Sequence, residues 1–136
     1  MKKYFLHILA LLLGVSGFYG FYHQHSTPEK TFEAFDIAAL EQQRVASGRA
    51  YLPFLNRETL LAGLYVLQAG APDPQPVHDL DEVYYILGGK AQFLAGKDTV
   101  QVQEGSVLFV AAHETHRFFN IEEELKVLVF FSAKKP

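Results

Sequence analysis

The chain has 136 residues, enough for one domain and too few for two ordinary ones, and its 49% hydrophobic and 20% charged content excludes a disordered polymer. The net charge of −3, with basic residues scattered beyond the first positions, excludes a nucleic-acid surface, which needs clustered Lys and Arg. The absence of cysteine excludes disulfides, thiolate metal sites and a cysteine nucleophile.

Taken in chain order, Lys2 and Lys3 precede Tyr4 to Tyr22, a run without Lys, Arg, Asp or Glu. A positive start followed by an apolar run predicts a signal peptide or membrane anchor over residues 1–22, with the domain facing outward. The aromatic group Phe18, Tyr19, Phe21 and Tyr22 resembles an interfacial belt, as in an uncleaved transmembrane anchor. The alternative is a helix belonging to the domain itself, with a cytoplasmic location. Residues 23–34 are polar, carry Pro28 and read as a linker. A short helix is predicted from Phe35 to Ser47, with Asp36 as N-cap and Gly48 closing it.

Beyond Gly48, short β-rich runs alternate with turn signals. Strands are predicted at Tyr51–Leu55, Leu60–Gln68, Val83–Leu87, Ala91–Leu94, Thr99–Gln103, Val107–Val110, Arg117–Ile121 and Leu125–Phe131. Gly88, Gly89 and Gly105 read as turn residues with positive φ. This texture predicts an all-β sandwich or barrel for a domain spanning 35–136.

Two segments carry chemistry. The first runs from Gly70 (GAPDPQPVHDLDE) through His78 and Glu82 to Gly89; the second runs from Gly105 through His113 and His116 to Asn120. They resemble the two signature motifs of the cupin superfamily, in order and in spacing. The resemblance implies a small jelly-roll β-barrel (a double-stranded β-helix), often a homodimer, with a metal inside its mouth. It places His78, Glu82 and His116 on ligand positions and gives Asn120 a role in the turn of the second hairpin. One ligand of the family pattern is lacking, because Pro76 stands where it has a histidine.

The residues support the same site independently. Two imidazoles and a carboxylate suit a divalent first-row metal (iron, manganese, zinc or nickel) with positions left open. His78 and Glu82 share a strand face, yet in an extended strand they would lie roughly 13 Å apart at about 3.3 Å per residue. The chain must therefore bend near Asp79 to Asp81, and His116 must arrive from a neighbouring strand. Taken singly, His78 reads as a surface histidine and Glu82 as an ordinary strand-entry residue.

Parity from Glu82 points Tyr84 and Ile86 inward, and parity from His116 does the same for Phe118. With Phe93 and Phe109 these form an expected aromatic pocket for a small-molecule ligand. Tyr84 is the candidate proton donor, and Gln75 and His113 are candidates for an extra ligand or the rim. Three functions fit: a metal-dependent oxygenase or isomerase, a non-catalytic small-molecule binding or sensing module, and a structural dimer with a vestigial site.

Overall fold

A computed structural model of the protein describes residues 30–132. The apolar segment 1–22 and the linker as far as residue 29 lie outside the described residues. Among the described residues there is a single α-helix, and no helix is long and apolar enough to cross a membrane. The expectation of a membrane-anchored, outward-facing domain is corrected on this point and is not carried forward. From Ala34 onward the chain forms one compact unit.

The helix, α1 (Ile37–Ser47), begins and ends where its caps dictate. Asp36 accepts a hydrogen bond from the Ala39 N–H at 2.9 Å, and Gly48, at φ 68°, returns its own N–H to the Val45 carbonyl. Its one buried residue, Leu40, packs with Leu64 and Val66 on the outer face of the sheet.

Six strands follow: β1 (Tyr51–Asn56), β2 (Leu60–Leu67), β3 (Glu82–Ala95), β4 (Asp98–Gln103), β5 (Val107–Val110) and β6 (His116–Ser132). All pair antiparallel, in the order β1-β2-β6-β3-β4, with β5 on β3. Eight short strands were expected, and two pairs of them are in fact continuous. Gly88 and Gly89 do not end a strand. They lie inside β3 at a run of register shifts between Ile86 and Gln92, and of the two only Gly89 has positive φ, at 88°. The acidic run Glu122–Glu124 is likewise part of β6.

The expected closed jelly-roll barrel is corrected as well. Among the described residues, no hydrogen-bonded ladder joins β1 at one edge to β4 or β5 at the other, so the sheet is open. The chemistry of the chain accounts for this. β1 carries Pro53, which has no N–H to donate, and it suits an edge. Residues 71–81 belong to no strand, and Pro72, Pro74 and Pro76 remove alternate donors just where another strand would be needed to close the sheet.

The long strands do the shaping. β3 and β6 pair from Glu82↔Phe131 at one end to Ala95↔His116 at the other. Extended, that stretch of β3 would span roughly 40 Å at about 3.3 Å per residue, yet Glu82 and His116 sit side by side. The ribbon is folded on itself at the bulged stretch around Gly88 to Lys90, so that its two ends meet. Its inner face carries the main core, with Tyr84, Ile86, Phe93, Phe118, Leu125 and Val127 all buried.

Gly89 is the position this bend depends on most. Its φ is left-handed, and a Cβ there would run into the backbone of Glu124 and Leu125. Gly48 has a left-handed φ but open space around it. Gly89→Ala should therefore cost about 2–4 kcal/mol and Gly48→Ala about 1 kcal/mol. Urea unfolding of the two variants measures both; equal losses would contradict this account of the bend.

Candidate metal centre

Three donors meet where the two ends of the ribbon come together. Glu82 opens β3, points inward by the alternation that also buries Tyr84 and Ile86, and is 1% exposed. His116 opens β6 and is also buried. His78 precedes β3, and the chain bends at Asp79 and Leu80 to turn it back toward Glu82. That corner is pinned from several sides. The His113 N–H donates to the His78 carbonyl at 2.7 Å, and the Ala112 N–H donates to Asp81 Oδ1 at 2.9 Å. Asp81 also exchanges hydrogen bonds with Ser132 at the far end of β6.

His116 Nε2 lies 3.5 Å and His78 Nε2 3.8 Å from Glu82 Oε1, and one donor atom from each of the three residues lies within 4.8 Å of the others. Donors about 2.0–2.2 Å from one ion are spaced roughly 3–3.5 Å apart, so the observed separations are near those of a ligand set. The expected trio is brought together.

Hydrogen bonding fixes the state of the donors. His116 Nδ1 faces the Glu114 carbonyl at 2.7 Å and must donate to it, which leaves Nε2 of the neutral imidazole as an acceptor. Gln75 donates Nε2 to Asp73 Oδ2 at 2.8 Å, which turns its Oε1 toward the Tyr84 hydroxyl at 3.0 Å. That hydroxyl also meets His116 Nε2 at 3.0 Å and makes a short hydrogen bond to Glu82 Oε2. One phenol proton thus faces three acceptors, on a side chain that is 0% exposed. The cluster holds a surplus of electron pairs, and a cation is the chemical species that relieves it. The residues fit a divalent metal ion, and His78, Glu82 and His116 can coordinate one.

The remaining expected site residues divide. Phe93 and Phe118 are buried against Tyr84, with ring centroids 5.6 and 5.5 Å from it, and Ile86 is fully buried. These three form the floor beneath the donors; the open cavity has other walls. Phe109 is 66% exposed, pairs with Val83 on the outer face of the sheet and does not line that cavity. His113 is exposed, at φ 67°, and lies outside the donor cluster. Asn120, exposed at φ 45°, donates to Gln92 across the β3–β6 pair at 2.6 Å.

The cavity itself, about 310 Å³, is lined by Ala50, Tyr51, Tyr65, Pro74, Gln75, Pro76, His78, Val129 and Phe131. It sits between the first two strands and the proline-rich segment, with His78 shared between cavity and donor cluster. Val129 and Phe131 were not legible, because parity counted from His116 and Phe118 turns them outward, and only a change of face near Asn120, at φ 45°, brings them opposite Tyr84 and Glu82. Nor were Tyr51 and Tyr65, because nothing local ties β1 and β2 to the site.

A profile of the cupin domain family matches residues 63–131, half of the chain. An uncharacterized protein of Streptomyces coelicolor is 45% identical over 100 residues, covering 74% of this chain and 95% of that protein. The chain belongs to the cupin family. Among solved structures, TT1209 from Thermus thermophilus aligns with a TM-score of 0.62 at 24% identity, over 75% of this cupin and 98% of that chain. The Cnp3 cupin domain of Schizosaccharomyces pombe aligns with a TM-score of 0.56 at 18% identity, over 62% of this cupin. This cupin spans 64% of that chain's length. At these identities the likeness is one of fold.

What holds the proline-rich segment of this cupin over its site is Asp73. Its carboxylate accepts from the Tyr65 hydroxyl at 2.6 Å, the Phe118 N–H at 2.8 Å, and both the side-chain and backbone N–H groups of Gln75. The three inward tyrosines feel this concentration of acceptors. Tyr65 has its pKa pushed far up by burial first and the Asp73 hydrogen bond second, Tyr84 by burial and then Glu82, and Tyr51 by burial and the nearby Glu82 charge.

Tyr65 gives a pH test. Its folded pKa lies above the ordinary value of 10.0, so the stability it contributes is complete below pH 10. Above that it drains by about 1.4 kcal/mol per pH unit, as the unfolded chain alone loses the proton. Tyr65→Phe should lose about 1–3 kcal/mol at neutral pH, and the gap to the parent should narrow toward about pH 11. Urea unfolding across that range checks it; a gap that widens would contradict it.

Proposed function

We propose that this cupin is a metal-dependent binding module, without a catalytic step of its own, for a small organic anion. The carrying observation is the placement of the donor cluster at one wall of an apolar cavity, with His78 belonging to both. Imidazole and carboxylate donors leave a divalent ion with open positions, which an anionic oxygen can fill. The walls of proline, valine, phenylalanine and tyrosine suit a compact hydrocarbon or aromatic body, and about 310 Å³ admits one such molecule.

Binding is favoured over turnover by what surrounds the donors. The one hydroxyl among them, on Tyr84, is already engaged with Glu82, Gln75 and His116, and Asp73 is saturated by its own donors. Among the described residues, no free base faces the cavity for a proton-transfer step. Iron, manganese, zinc and nickel all accept this donor set.

Metal analysis of the protein purified without added metal or chelator, and again after reconstitution with zinc, should find about one ion per chain. His116→Ala should lose it. A metal present at about hundred-fold excess over its Kd should add about 2.7 kcal/mol of stability. Benzoate, as a probe with one carboxylate and a compact ring, should raise the Tm of the zinc-loaded protein and leave that of the metal-free protein unchanged. Failure of parent and variant alike to take up metal would overturn the reading, as would equal stabilisation of both forms by benzoate.

A further inference from the structure

We infer that Tyr84 is itself a ligand of the metal ion, its phenolate oxygen supplying the fourth donor beside His78, Glu82 and His116. The inference rests on the metal-binding reading above. It concerns a residue that neither the carboxylate–histidine cluster nor the sequence motifs assign to the ion.

The geometry carries it. Tyr84 follows Glu82 by two residues on one strand, so both side chains leave the same face of β3 toward His116. The Tyr84 oxygen stands 3.0 Å from His116 Nε2, as close as neighbouring donors on one ion stand, and in contact with the Glu82 carboxylate. The ring cannot swing away. It is 0% exposed and wedged between Phe93 and Phe118, at 5.6 and 5.5 Å between centroids. The oxygen is thus held among three acceptors that a single proton cannot satisfy together. With an ion bound, the Tyr84 O–H bond would break, its proton would leave through the open cavity beside Gln75 and His78, and the oxygen would bond the ion through the freed electron pair. Pro76, on the loop beside Gln75, offers no side-chain donor, and the Tyr84 oxygen lies 3.0 Å from Oε1 of Gln75, its neighbour in sequence.

Ferric ion is the probe, because a phenolate bound to iron(III) gives a visible charge-transfer absorption that imidazole and carboxylate do not. The full-length protein titrated with ferric ion should develop this band at one equivalent, with tyrosinate vibrations in the resonance Raman spectrum. Tyr84→Phe keeps the packed ring and should lose the band, and its zinc affinity should fall by at least roughly ten-fold, the low end of what losing even a supporting group costs. Tyr85→Phe, on the outer face, should keep both. Ferric ion bound stoichiometrically by the parent protein without the band, or a band that persists in Tyr84→Phe, would overturn the assignment while leaving the metal site standing. Should Tyr84→Phe not fold, the parent's Raman spectrum alone decides. Failure of the parent to bind either ion would overturn this inference together with the reading beneath it.

Discussion

Glu82 is a carboxylate sealed from solvent, and its neighbours are a phenol and two imidazoles where a lysine or arginine would ordinarily stand. A buried carboxylate is stable only where charge or hydrogen bonds compensate it, and here that falls to a phenol and two imidazoles crowded on one point. The surrounding hydrogen bonds sharpen the problem. Glu114 fixes the proton of His116 on the far nitrogen, and Asp73 fixes the amide of Gln75, so both turn acceptors inward. A divalent cation converts this arrangement from a liability into a binding site, and it explains why so many elements are spent on holding it.

Those elements act over long sequence distances. The β3–β6 ribbon brings residues 34 positions apart, Glu82 and His116, to within 3.5 Å by folding at the bulge that Gly89 permits. The corner from His78 to Glu82 is tied to Ala112 and His113 on one side and to Ser132 on the other. Asp73 gathers the proline-rich segment against Tyr65 and β6, which sets the outer wall of the cavity. The site is therefore a property of the whole sheet, and substitutions far from the donors, at Gly89 or Tyr65, act on it through geometry.

The donor trio was legible in the sequence because its spacing is strict and its ligand chemistry is specific. The helix was legible because both caps are local: Asp36 and Gly48 act within a few residues. Strand continuity was not, since Gly88–Gly89 and Glu122–Glu124 carry turn composition while a bulge keeps the ladder intact through them. Closure of the sheet was misjudged for a related reason. The motif resemblance implies a barrel, while prolines 72, 74 and 76 withhold the donors a closing strand needs. Phe109 shows where parity fails: without knowing that it pairs with Val83, nothing in β5 says which face is inward. Tyr51 and Tyr65 reach the cavity only through the pairing of β1 with β2 and of β2 with β6, which no local signal records.

The most direct test is anomalous diffraction from crystals of the zinc-loaded protein. The account predicts one strong peak within about 2.0–2.3 Å of His78 Nε2, Glu82 Oε1 and His116 Nε2 together. A peak bound elsewhere on the chain, or none at saturating zinc, would contradict it.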